Sequence, residues 1–90
     1  MARRPRNREL MPDELQALSF AFWREVMIDL LSGDWETKLW LTSRGRGSFL
    51  WWCRVTDKRP AEWRGMLLTL YGMAGTPEGE RQMKKLREAT

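Results

Sequence analysis

The chain holds no histidine and a single cysteine, Cys53, in 90 residues. Without histidine there is no Ser-His-Asp triad, no Cys-His pair and no imidazole metal ligand. One thiol cannot close an internal disulfide, and cysteine zinc sites need several thiolates. Isoleucine occurs once (Ile28) and valine twice (Val26, Val55), so the residues that sheets usually draw on are scarce. The longest unbroken apolar run is Phe49 to Cys53, far short of the roughly 20 residues a membrane-spanning helix requires. Arg44-Gly45-Arg46-Gly47 lacks the Gly-Lys-Ser/Thr ending of a phosphate-binding loop. The basic opening segment has no apolar stretch of the signal-peptide kind, and Glu9, Asp13 and Glu14 argue against a transit peptide. These absences predict a cytoplasmic protein with Cys53 reduced, no cofactor, no metal and no catalytic residue.

Tryptophan and arginine are abundant. There are six Trp, six Met and three Phe, and 16 Lys plus Arg stand against 12 Asp plus Glu for a net charge of +4. The charge is sorted along the chain: residues 1–10 carry +3, 11–43 carry −4, 44–64 carry +4 and 65–90 carry +1. The acidic and basic segments can attract one another, within one fold or across two subunits. Either use consumes basic residues that a nucleic-acid site would need.

Residues 1–10, with Arg3, Arg4, Arg6 and Arg8 around Pro5, show no apolar periodicity and are expected to form a flexible basic arm. Residues 11–90 are expected to form a single small helical domain of four to five helices. The first helix should run from Pro12 to Gly33, with proline in the first turn and glycine as the stop. Leu15, Leu18, Phe22, Val26 and Leu30 make one apolar stripe, and Phe20, Trp23, Met27 and Leu31 make a second beside it. So wide a face fits a helix central to a bundle, or one that leaves a side open for a partner. Asp29 falls inside the first stripe; as a rim acid it is unremarkable, and as a buried acid it would need an arginine.

Residues 34–58 admit two readings. As helices, Asp34 caps one that ends at Arg44 and Gly45, and Ser48 caps another that places Phe49, Trp52, Cys53 and Thr56 on one face. As strands, residues 38–56 fold back at Arg44–Gly47 into an aromatic hairpin, giving an α+β fold. The abundance of Leu, Met, Ala, Glu and Arg favours helix. Pro60 should open a further helix carrying Trp63, Leu67, Leu70 and Tyr71 inward. Thr76 with Pro77 should open a last one, whose only apolar anchors, Met83 and Leu86, predict a solvated and loosely attached element.

Two functional readings follow. The first is a non-catalytic interaction protein, an accessory regulator or inhibitor of the sort that phages and mobile elements encode. It would bind a larger host protein through Trp23, Met27, Trp51 and Trp52, with Arg44 and Arg46 at the rim. Trp, Met and Arg dominate adaptable protein interfaces. A homodimer would use the same face. The second is a DNA- or RNA-binding protein using Arg3, Arg4, Arg6 and Arg8 together with Arg54 and Arg59 of the 44–64 basic stretch, where aromatics interleave with cations. Against both stands the plain alternative that a short chain uses tryptophan to fill its core.

Overall fold

A computed structural model describes residues 12–89, with side chains from residue 17 onward. Among the described residues there are five helices and no strand: α1 (Pro12–Leu31), α2 (Trp35–Trp40), α3 (Phe49–Val55), α4 (Pro60–Gly72) and α5 (Pro77–Glu88).

α1 ends in a Schellman motif. Gly33 takes φ +87°, its N–H donates to the Leu30 carbonyl, and the Asp34 N–H donates to the Asp29 carbonyl. The left-handed position is one that glycine fills without the Cβ penalty. Asp34 at once caps α2: its carboxylate accepts from the Glu36 N–H at 3.3 Å and from the Thr37 hydroxyl at 2.7 Å. Ser48 caps α3 by accepting from the Trp51 N–H at 3.2 Å, and Thr76 caps α5 by accepting from the Gly79 N–H at 3.0 Å. Each is the short polar side chain that satisfies an orphan amide at a helix start.

The hairpin alternative over residues 38–56 is overturned. α2 stops at Trp40, not at Arg44. The segment after it is a loop in which Gly45 and Gly47 both take positive φ. The Trp40 indole N–H clips this loop by donating to the Gly47 carbonyl at 3.1 Å. Once Ser48 caps a helix, Phe49 and Cys53 lie one turn apart on its inner face, and both are fully buried.

α1 is the central element and packs against α2, α4 and α5. Trp23, Val26 and Leu30 from α1 meet Leu41, Phe49, Cys53 and Leu67 in one core cluster. Phe22 stacks on Trp52 at 3.8 Å between ring centroids, and Trp23 meets Phe22, Phe49 and Trp63 edge-on. Such edge and offset contacts suit the quadrupoles of the rings. Three helices, α1, α3 and α4, supply this cluster together with Leu41, which lies just past α2.

The expectation of a loosely attached α5 is corrected. Met83 is buried, and Gly79 is buried directly against the Met73 backbone. The Arg24 guanidinium also donates to the Ala89 carbonyl at 2.7 Å, tying the far end of α5 to α1. Gly79 seats α5 closely against the turn after α4, and Met83, one of the two apolar anchors legible in the sequence, is buried.

Asp29 has no arginine partner among the described residues, and it sits half-buried in the last turn of α1. Burial first, then the Asp34 and Glu25 carboxylates, push its pKa above the ordinary range; the negative end of the helix dipole is also unfavourable for a carboxylate. The folded chain therefore holds this proton more tightly than the unfolded chain. The contribution to stability is full below the unfolded pKa of about 3.9 and is lost as pH rises through the raised folded value. Asp29→Asn should accordingly raise the urea midpoint at pH ~7, with the gain shrinking toward pH ~3. A lower midpoint at neutral pH would show instead that the carboxylate holds a cation or a donor.

Candidate interaction surface and cavity

The structure separates the tryptophans into three environments. Trp23 is 3% exposed and its indole N–H donates to the Thr56 hydroxyl at 3.1 Å. Its placement on a partner-facing surface is therefore corrected: the α1 stripe that carries it is the one covered by α3 and α4. Trp51 and Trp52 are half-buried and meet edge-on, with Trp52 stacked on Phe22. They are partly committed to the interior and do not form an open pair of stacking platforms. Met27 is half-buried and lines a cavity beside Trp23. Trp35 alone among the six is mainly solvent-facing, at 60% exposure, and Leu39 one turn later is 58% exposed.

This α2 face was not singled out by sequence reading. The helix has six residues and buries none of its own, so it has no periodic pattern to detect. Its polarity is set by what flanks it: Leu41, just past its end, is fully buried and Trp40 is half-buried. With that side turned inward, positions i and i+4 at Trp35 and Leu39 are left outward. Leu18 and Phe20, on the early turns of α1, are also about half exposed, at 48% and 51%.

Arg44 and Arg46 lie exposed in the loop that follows α2. Arg54 and Arg59 are exposed as well, and Arg59 pairs with Glu62 at 3.3 Å within α4. Arg64 is spent internally: its Nε donates to the Leu41 carbonyl at 2.9 Å and its guanidinium lies 5.0 Å from the Phe49 ring centroid. Arg3, Arg4, Arg6 and Arg8 lie outside the described residues. Among the described residues no ion pair joins the acidic first helix to the basic middle; the pairs there are between near neighbours in sequence, Arg24 with Glu25, Arg59 with Glu62 and Arg81 with Glu78.

A cavity of about 690 Å³ opens where α1, the end of α3, the start of α4 and α5 converge. Its rim is shaped by a second Schellman motif. Asp57 takes the left-handed position after α3 at φ 59°, and the Lys58 N–H donates back to the Cys53 carbonyl at 2.7 Å. This motif carries aspartate where glycine is usual, and it sets the Asp57 and Lys58 side chains beside the opening. The cavity draws residues from four parts of the chain, which is why no local motif announced it.

Cys53 is fully buried, and burial pushes its thiol pKa up against the opposing influence of Arg64 and Lys58. It is held as a neutral small apolar side chain. Among the described residues no group of three or more Cys, Asp and Glu side chains is placed to hold a metal ion, and no helix is long and apolar enough to cross a membrane.

Comparison with family models, with curated proteins and with solved structures finds no match to this chain.

Proposed function

We propose that this protein is a non-catalytic interaction protein that binds a larger protein and regulates or inhibits it. The observation that carries the reading is the Trp35–Leu39 face of α2. Two large apolar side chains stand on successive turns, each more than half exposed, in a chain whose core is already closed by Trp23, Phe49, Leu30 and Leu67. They fill no internal space, so their burial is available to a partner. Tryptophan is among the residue types enriched at interface hot spots, and Leu39 adds apolar area beside it. Arg44 and Arg46, on the loop leaving α2, supply polar rim contacts that orient a partner more than they bind it. The phosphate-binding alternative draws less support, because Arg64 is bonded to the core and Trp52 is stacked on Phe22.

The test uses the full chain, tagged, with a photo-crosslinking residue next to the face at Glu36. The wild type should retain one stoichiometric protein whose crosslinks map to α2. Trp35→Ser with Leu39→Ser should lose it by about thirtyfold or more in affinity, as hot-spot truncations of about 2 kcal/mol do. Because both side chains are exposed, the double variant should keep its unfolding midpoint to within about 0.5 kcal/mol. Undiminished retention by the double variant would sink the reading. A partner that turns out to be a second copy, seen as a dimer by sedimentation and a monomer in the double variant, would replace the foreign target with self-association.

A further inference from the structure

The 690 Å³ cavity is separate from the α2 face and has a chemistry of its own. Its size falls within the roughly 300–1,000 Å³ of small-molecule sites. Phe20, Trp23, Met27, Val55, Trp63 and Leu86 give it apolar walls. The polar lining is dominated by donors. Arg24 Nε and Trp63 Nε1 are the two buried side-chain polar atoms that lack a hydrogen-bond partner among the described residues, and both belong to residues lining this cavity.

Neither donor has an acceptor within hydrogen-bond distance, although Ser19 and Asp57 also line the cavity. The Thr56 hydroxyl is occupied, accepting from Trp23 Nε1 and donating to the Trp52 carbonyl. The Glu25 carboxylate approaches Arg24 at Nη2, at 4.0 Å, and not at Nε. The Lys58 ammonium sits 5.0 Å from the centroid of the Trp63 ring, so a cation stands next to one of the orphan donors. Asp57 lines the rim but is exposed. Buried N–H groups without acceptors are costly to a fold, and a ligand that brings the acceptor removes that cost. Apolar walls, two unpartnered donors among the lining residues and a neighbouring cation suit an amphipathic anion.

We propose that this cavity binds a small amphipathic carboxylate. The alkyl or aryl body lies against Trp23, Met27 and Leu86. The carboxylate pairs with the Lys58 ammonium, and a small shift of the Trp63 and Arg24 side chains, whose Nε1–H and Nε–H are closed to water in the free protein, brings those donors to it. The neutral alcohol of the same chain length lacks the charge and one acceptor, so it is the discriminating control.

Decanoate and decanol are the probes, titrated into the full chain by calorimetry and by proton–nitrogen correlation spectra. Decanoate should bind saturably at one site per chain and move the Trp63 indole N–H and Arg24 Nε–H signals downfield as they gain an acceptor. Decanol should bind at least about tenfold more weakly, and Lys58→Gln should weaken decanoate by about tenfold. Val55 lies half exposed at the opening, and Val55→Trp should block binding while leaving the unfolding midpoint unchanged. Three results would overturn the proposal: no saturable binding by about 1 mM decanoate, equal affinity for decanol, or full binding by Val55→Trp.

Discussion

Trp23→Ala is expected to cost about 3–5 kcal/mol. For 90 residues a total stability of roughly 5–13 kcal/mol is ordinary, so the substitution removes about a quarter of it or more. The physical terms are on hand. The indole is 3% exposed and lies at the centre of the aromatic cluster, in contact with Phe22, Phe49 and Trp63. Removing it opens a void that those rings and Leu30, held by their own helices, close only in part. The Thr56 hydroxyl also loses the donor that now bonds it at 3.1 Å.

Trp23→Phe separates the two contributions. It keeps most of the ring volume and loses the hydrogen bond, and should cost about 1–2 kcal/mol. Denaturant unfolding of both variants, followed by far-ultraviolet circular dichroism, measures the difference. A cost for Trp23→Ala below about 1 kcal/mol would place the indole at the surface. The result also governs how binding experiments are read. A Trp23 variant that loses a partner has lost part of its fold, whereas a Trp35 and Leu39 variant that loses it has lost the contact.

Gly79→Ala is expected to destabilise the protein by about 2–3 kcal/mol, against the sign of helix propensity. Gly79 occupies the first turn of α5, where alanine would normally favour the helix. Here a Cβ would stand 3.0 Å from the Met73 carbonyl carbon and closer still to its oxygen. Backbone cannot swing aside as a flexible side chain can. The same Met73 oxygen accepts from the Thr76 N–H and the Thr76 hydroxyl, and Thr76 is the cap of α5. Relieving the clash therefore disturbs the cap as well as the docking of α5 on α1.

Gly65→Ala is the control. Gly65 lies inside α4 with nothing near an added Cβ, so that substitution should stabilise by about 0.5–1 kcal/mol through helix propensity alone. Opposite signs at two helical glycines, measured as urea midpoints, would establish that α5 is seated by close backbone packing against the turn after α4. A Gly79→Ala variant as stable as the wild type would restore the picture of a loosely held terminal helix.

Helix starts and stops were legible because each is decided within about four residues. Asp34, Ser48 and Thr76 cap the helices they were expected to cap, and Gly33 stops α1 as expected. A capping bond joins a side chain to an amide two or three positions on, so no distant part of the chain needs to be known. The choice of helix over hairpin for residues 38–56 was likewise contained in the poverty of valine and isoleucine and in the spacing of Phe49 and Cys53. The end of α2 was misjudged by a few residues because Leu41, fully buried, draws the chain into the core and ends the helix early. That pull comes from tertiary packing.

Which tryptophan is core and which is surface was beyond the sequence. Trp23 and Trp35 are the same residue type, each on a helix, and each follows an apolar or capping neighbour. Only the placement of α3 and α4 over α1 covers the first, and only the inward turn of Leu41 leaves the second outside. Burial is a property of what lies across the gap, and the partners across it are distant in the chain. The same holds for the cavity, whose orphan donors at Arg24 and Trp63 are separated in sequence and share a site solely through the packing of α1 against α4. By itself, then, the sequence determined an α-helical chain, its caps and its lack of histidine. The tertiary structure decided which apolar groups were left over and where unpaired donors converge, because those depend on contacts between segments that local chemistry does not encode.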